Sequence, residues 1–430
     1  MPDQRADTTG TNSSHTHLHL SHNSARFDTV YSQNNSLACT NWDMRWAKVM
    51  TEIIESDPDI LFFEELDMLV DVRKDLATLG YELGINPGDE NATYVPAHSV
   101  PGLNKSNTSG YLEHVAASGL AFAPRIGSSA RKIKLGRSNA SSPSPADPDD
   151  DGVAVFWKAS RFEPLEVSYL QYGKGDGQTH GESTNGAVAV KLRERMGSNR
   201  TLLVSSAHLK SGVENEAERL GQVAGAGVSA TVFAQSSSSS SLSSSSSLST
   251  PSYSSEPGGL SSWLRRLASV EGVDSLLLGM DANSRPQQEH IGGQNVWKVF
   301  HNGTYFGSVW NAYFDQSGIE IPGVGPAPVS SNKMRGPSTK QKTKIGRELG
   351  REVIGEEEED LTNSPPTLPT PVHAYELIDH VYMHGCELQD FVPGYAPTAF
   401  ENEEDAKFEL IPSTKVPSDH YVVAVDVLCL

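Results

Sequence analysis

The residues able to do chemistry in this sequence sit at the ends of apolar runs. Asn35 follows "FDTVYSQN", Glu65 ends "DILFFEEL", and His208 ends "LLVSSAH". Asp281 and Asn283 follow "SLLLGM", Asp379 lies in "ELIDHVY", and Asp419-His420 precede the last apolar run. Singly, each has an ordinary explanation as a strand-edge charge, a turn former, a core histidine or a cap. Together they are the side-chain types of a hard-metal site. Carboxylate and amide oxygens hold Mg²⁺, with Mn²⁺ as the alternative, and imidazole–carboxylate pairs supply proton transfer and charge stabilisation. Strand ends are also where α/β proteins build their sites.

Such ends must be positioned by strands, and strand and helix signals alternate. "WDMRWAKVMTEIIESDP" places Trp46, Val49, Ile53 and Ile54 at helical spacing, "DILFFEEL" reads as a buried strand, and residues 68–81 predict a second helix. "GVAVFWK" (152–158) and "TLLVSSAHLK" (201–210) predict strands, while "AERLGQVAGAGVSATVFAQ" and "LSSWLRRLASV" predict helices. "FDTVYSQNNSLA" reads as a strand leading into a loop, and "YELIDHVYMHG" and "HYVVAVDVL" close the chain as strands. Helices among strands early, then strand after strand, predict an α/β (α+β) chain with two layered sheets flanked by helices. No Gly-x-Gly-x-x-Gly run and no Walker loop occurs, so nucleotide folds of those types lose support.

Residues 1–25 read as a disordered tail, with His15, His17, His19 and His22 a solvated run in it. Residues 26–430 read as one domain carrying low-complexity insertions at about 86–150, 236–260 and 316–372. The first insertion holds one short strand, "GLAFAP"; the last holds a basic segment from Lys333 to Arg351 and then "EEEED", read as solvated loop. The net charge of −20 argues against a protein that coats duplex nucleic acid, and directs any nucleic-acid chemistry to a local groove on short or single strands. No apolar run is long enough to span a membrane. The N-terminus lacks the basic start and apolar stretch of a secretory signal. Cys39, Cys386 and Cys429 are too few and too scattered for a disulfide framework or zinc cluster, so a reducing, cytoplasmic setting is expected.

The ordered set "NNSLA", "DILFFEELD", "AHLK", "GMDAN", "LIDHVY" and "PSDH" resembles the endonuclease/exonuclease/phosphatase superfamily. Within it, the sequence is most similar to the branch containing nocturnin and the carbon-catabolite-repressor-type deadenylases. Trp42 and Arg45 match that branch's Trp-x-x-Arg helix, and "AFAPR", "DGVAVFWKASRF" and "ERLGQ" extend the match from Phe27 to the C-terminus. Departures are Met280 before Asp281, Glu64 where the family carries Gln, Asn34 where an aromatic usually stands, and Gly212 where nocturnin has a basic residue.

The resemblance implies a four-layered sandwich of two mixed β-sheets packed face to face and flanked by helices. It implies Asn35, Glu65 and Asp419 as metal ligands, and His208, Asp281, Asn283, Asp379 and His420 as catalytic residues. Asp281 would orient or deprotonate the attacking water, with Asn283 and His208 donating to nonbridging oxygens and Asp379 fixing the His420 tautomer. An extended strand end would set Asp281 and Asn283 on one side and Ala282 on the other. Arg125, Lys210 and the Lys333–Lys344 segment are cations available to track phosphates, and Asp151 to meet a base or ribose; ordinary surface charges and a turn explain them equally well. The leading expectation is a Mg²⁺-dependent 3′–5′ exoribonuclease acting on single-stranded RNA. The alternatives are a nocturnin-like phosphatase of a small nucleotide, such as a phosphorylated dinucleotide, and a non-catalytic scaffold. No membrane partner is expected, and no protein partner is assigned.

Overall fold

The computed structural model describes residues 14–21, 41–66, 69–83, 121–124, 152–172, 186–196, 199–224, 229–231, 253–254, 259–269, 272–286, 295–301, 305–317, 328–335, 372–395, 398, 400, 403–413 and 415–429. The strands of its first half are β1 (Ser14–Ser21), β2 (Ile60–Leu66), β3 (Tyr81–Glu82), β4 (Phe122–Pro124), β5 (Gly152–Lys158), β6 (Phe162–Gln171), β7 (Gly186–Glu194) and β8 (Thr201–His208). Then follow β9 (Ser229–Thr231), β10 (Tyr253–Ser254), β11 (Ser275–Asp281), β12 (Gly307–Ser308), β13 (Ser331–Arg335), β14 (Val372–Glu376), β15 (Asp379–His384), β16 (Cys386–Phe391) and β17 (Val423–Cys429). The helices are α1 (Trp42–Ser56), α2 (Leu69–Thr78), α3 (Glu216–Ala224), α4 (Leu260–Ala268), α5 (Val296–His301), α6 (Val309–Ser317) and α7 (Glu403–Phe408).

One sheet runs β16-β17-β1-β2-β5-β3, with β4 also on β5; the other runs β10-β9-β6-β7-β8-β11-β15-β12. Alternation along the strands decides what each face meets. On β8, Leu202 and Val204 join the core shared with Phe62 and Phe156 of the first sheet, whereas Leu203 and Ala207 join a second core with Trp263 and Leu264 of α4. β11 divides the same way, Leu277 into the first core and Leu276, Leu278 and Met280 into the second. Helices α1 and α2 add Trp46, Val49, Ile53, Val72 and Leu76 to the first core. The result is the sandwich of two mixed sheets between helices. Among the described residues no helix is long and apolar enough to cross a membrane.

Several expectations meet a different outcome. The stretch read as a tail contains β1, which lies between β2, to which it is parallel, and β17, to which it is antiparallel. Its His/Leu alternation has the period of a strand, and polar composition masked that period. "FDTVYSQNNSLA" lies outside the described residues. Ile54 is 58% exposed, because the buried stripe of α1 follows Trp46, Val49 and Ile53. The 316–372 insertion contains β13, a strand with no apolar alternation that is held by backbone pairing to β14. Cys386 and Cys429 form a disulfide, because the β16–β17 register sets them directly opposite each other, their Cα atoms 4.0 Å apart.

The two sheets pack tightly where β11 meets β2. A Cβ built on Gly279 would lie 2.6 Å from Cγ of the fully buried Phe62. Gly279→Ala is therefore expected to destabilise the protein by about 1–3 kcal/mol, the usual cost of overpacking a core. Urea unfolding checks this, and an unchanged midpoint would show that the sheets have slack here.

Candidate active site

Register builds the centre of the site. In the parallel β8–β11 pair, His208 stands opposite Asp281; in the antiparallel β11–β15 pair, Asp281 stands opposite Asp379. Three adjacent strands thus deliver an imidazole and two carboxylates in one row. The first sheet adds Glu65 from the end of β2. There the β2–β5 register shifts between Phe63 and Leu66, and Glu65 takes a left-handed φ of 53°. A bulge of this kind re-aims a side chain, and a non-glycine residue at positive φ is uncommon enough to point to a functional constraint. Glu64, before it, turns into the core and accepts a hydrogen bond from Ser206 at 2.8 Å. The last contribution comes from the turn before β17, which carries Asp419 and His420.

These side chains converge. His208 Nε2 lies 3.5 Å from Asp281 Oδ2 and 3.9 Å from Glu65 Oε1. His420 Nδ1 and Asp379 Oδ2 are 2.7 Å apart, so the ring donates Nδ1–H to the carboxylate. Ligand atoms of Asp281, Asp379 and His420 all fall within 4.8 Å of one another. Asn283 departs from the extended geometry expected of it. Its φ is 48°, its N–H donates to Asp281 Oδ1 at 2.8 Å, and Nδ2 donates to Leu209 O and lies 3.1 Å from His208 Nε2. Asparagine tolerates this conformation because its short side chain bonds locally. Ala282 is buried in the second core, on the far side as expected.

Burial, followed by the facing Asp379 charge and that of Glu65, outweighs His420 and the Asn283 N–H, and pushes the Asp281 carboxyl up to about 7. For His420, burial opposes the charged form. The Asp379 carboxylate it binds, helped by Asp419 and opposed by Lys333, overcomes this and pushes the imidazole up to about 9. Two buried acids side by side cannot both ionise cheaply without a cation.

Positioning groups surround the row. Ser330 Oγ accepts from the N–H groups of Ile378 and Asp379 at 2.9 and 3.0 Å, and Trp310 Nε1 donates to Asp379 O at 2.9 Å. Arg45, buried on α1, donates to Pro417 O at 2.6 Å and so holds the Ser418–His420 turn. Arg219 donates to Lys210 O, Gly212 O and Glu216; Glu216 in turn accepts from Ser284 Oγ and Val296 N. One buried ion pair thereby clamps the loop after His208 to the loop after Asn283. Lys210 has its backbone fixed by Gln222 and Arg219, two residues beyond His208.

The structure thus brings together Glu65, His208, Asp281, Asn283, Asp379, Asp419 and His420. Asn35, Arg125 and Asp151 lie outside the described residues. The sequence reading passed over Ser330 and the individual position of Lys333, whose Nζ lies 2.6 Å from Asp419 Oδ2. Its isolation from the run Lys340–Lys344 was the available signal.

No protein-family model matches the sequence, and no curated protein matches it. Solved structures do. The chain is similar to the human nocturnin catalytic domain with bound sulfate, at 15% identity over 96% of this chain and 93% of that one, TM-score 0.50. It is similar to ANGEL2, a 2′,3′-cyclic phosphatase, at 11% identity over 97% and 96% of the two chains, TM-score 0.54. The ANGEL2 complex with adenosine-2′,3′-vanadate matches at 12% identity over the same shares, TM-score 0.53. The chain therefore has the endonuclease/exonuclease/phosphatase fold that the order of its motifs led us to expect.

A pH dependence follows for the metal-free protein. Asp281 binds its proton at about 7 when folded, against an ordinary 3.8, so its burial penalty is present above pH 7 and is relieved as pH falls toward 3.8. His420, raised from 6.5 to about 9, stabilises fully below pH 6.5 and loses this contribution as pH rises through 9. Both act in the same direction. In EDTA the melting temperature is expected to fall between pH 6 and pH 9, and Asp281→Asn to melt above wild type at pH 8 but not at pH 4. A variant melting below wild type at pH 8 would contradict this assignment.

Proposed function

We propose that this protein is a divalent-metal-dependent phosphoester hydrolase that removes nucleotides from the 3′ end of single-stranded RNA. The observation that carries the chemistry is the row His208–Asp281–Asp379, met by His420 and Glu65 at the ends of neighbouring strands. This donor set is rich in carboxylate oxygen and fits a hard cation such as Mg²⁺. Glu65 and Asp281 would hold the ion. Once bound, it supplies Lewis-acid polarisation of the phosphoryl oxygens and a lowered pKa for water. An amide completes such a set. Asn35, expected among the ligands from the order of the motifs, would supply that amide.

The chain's own groups then have separate tasks. Asp281, once ionised, would orient the attacking water beside the ion. His208 and Asn283, whose Nε2 and Nδ2 lie 3.1 Å apart, would exchange that contact for N–H donation to nonbridging oxygens when a phosphate binds, where charge develops in the transition state. Asp379 holds the Nδ1–H of His420, which leaves Nε2 to face the phosphate.

Support for RNA over a phosphorylated dinucleotide comes from Gly212. Its φ of 101° disfavours any side chain, and an added Cβ would crowd Asn215 and Glu214, so the turn is built without a cation there. The acidic balance of the chain supports single strands over duplexes. A second reading is hydrolysis of a terminal nucleotide phosphoester, favoured by the likeness to a 2′,3′-cyclic phosphatase in complex with an adenosine vanadate.

The test incubates the purified protein with 5′-labelled poly(A) RNA, RNA ending in a 2′,3′-cyclic phosphate, and a phosphorylated dinucleotide, each with Mg²⁺ and with EDTA. We expect a ladder shortening from the 3′ end that EDTA abolishes, and losses of about 10²–10⁴-fold in Glu65→Gln and Asp281→Asn. Change confined to the cyclic end or the dinucleotide would move the assignment to the second reading or to the dinucleotide phosphatases, and no metal-dependent turnover of any substrate would overturn it.

A further inference from the structure

Lys333 is delivered into the site by a ribbon built to hold it. β13 and β14 pair with Lys333 opposite Ala374, and β14 leads through Leu377 and Ile378 into Asp379. The residues flanking Lys333 are tied down. Asn332 Nδ2 donates to Ala406 O and Glu409 O at 2.8 and 3.0 Å, Asn332 O accepts from Ile411 N at 2.9 Å, and Ser331 Oγ donates to Asp419 O at 3.4 Å. The Lys333 side chain is only 14% exposed; its ammonium lies 2.6 Å from Asp419 Oδ2 and 3.3 Å from His420 Nε2.

A lysine–aspartate pair withdrawn from water contributes little to stability, because desolvation offsets its attraction. Stability therefore does not account for a ribbon that carries an ammonium to the ring nitrogen facing the reacting phosphate. Charge does. Without the ammonium, Asp419 would stand as an unneutralised carboxylate 3.9 Å from His420 Nε2, open to a second divalent ion. The ammonium meets Asp419 first, and from there it reaches any oxygen seated on His420 Nε2.

We propose that Lys333 is a resident cation of the site: it keeps Asp419 out of metal coordination and takes the charge-stabilising place of a second ion, so that one divalent ion, on the Glu65 side, suffices. This rests on the phosphoester-hydrolase reading for its purpose, but not for its test. Mn²⁺ binding is counted by calorimetry and by electron paramagnetic resonance on the full chain. Wild type should bind one Mn²⁺, and Glu65→Gln should lose it. Lys333→Met should gain a second, weaker site that Lys333→Met/Asp419→Asn loses again, while Lys333→Arg should keep the count at one. In turnover, Lys333→Met should lower kcat about 10²–10³-fold, as loss of one charge-stabilising donor does, with part of the loss restored at high Mn²⁺. Two ions in wild type, or one ion and unchanged kcat in Lys333→Met, would overturn the proposal. Failure of every phosphoester substrate would defeat the functional reading while leaving the ion count to decide this one.

Discussion

Two carboxylates face each other across the β11–β15 register, and the structure depends on how that conflict is resolved. Asp281 and Asp379 are both buried, and like charges directly opposite on neighbouring strands repel. Such a pair persists only where cationic or hydrogen-bonding groups compensate. His420 meets Asp379 through Nδ1, the Asn283 N–H meets Asp281, and His208 closes the row on the β8 side. The remaining negative charge is what a divalent ion would neutralise. A feature that costs stability in the protein alone would become binding energy for such an ion.

The rest of the fold keeps this row from relaxing. Strands fix His208, Asp281 and Asp379 to within the tolerance of backbone hydrogen bonds, while the three loop-borne groups need anchors. Ser330 and Trp310 hold the start of β15, Arg45 reaches across to Pro417, and the Glu216–Arg219 pair ties together the loops after β8 and β11. A buried ion pair that makes this many hydrogen bonds would be costly to break by removing one partner. At the opposite ends of β16 and β17 the Cys386–Cys429 disulfide joins the two strands, and Arg200 donates to Cys429 O beside it. β16, the antiparallel partner of β17, is thereby secured at the end of β17 away from Asp419 and His420.

Much of this was legible because strand ends write themselves into sequence as an apolar run followed by a polar residue. Glu65, His208 and Asp281 carry that signature, whereas Asp379 opens β15 and is set by its pairing with Asp281. What the sequence hid follows from contacts made at a distance. β1 is too polar to look like a central strand, and its place depends on β2 and β17, which come much later in the chain. β13 has no apolar alternation, so its Lys333 read as one of many loop cations until the ribbon set it beside Asp419. The turn at Asn283 inverts a backbone torsion that a two-residue periodicity takes for granted. Cys386 and Cys429 become neighbours only through the β16–β17 register.

The most direct measurement is the melting temperature of the full chain against Mg²⁺ concentration at pH 8 and at pH 5.5, in wild type and in Glu65→Gln. If facing carboxylates form the ion site, Mg²⁺ raises the wild-type melting temperature markedly at pH 8 and much less at pH 5.5, where protonation of Asp281 competes. Glu65→Gln should respond weakly at both. A wild-type melting temperature indifferent to Mg²⁺ at pH 8, or a Glu65→Gln response equal to it, would contradict a metal site at this row.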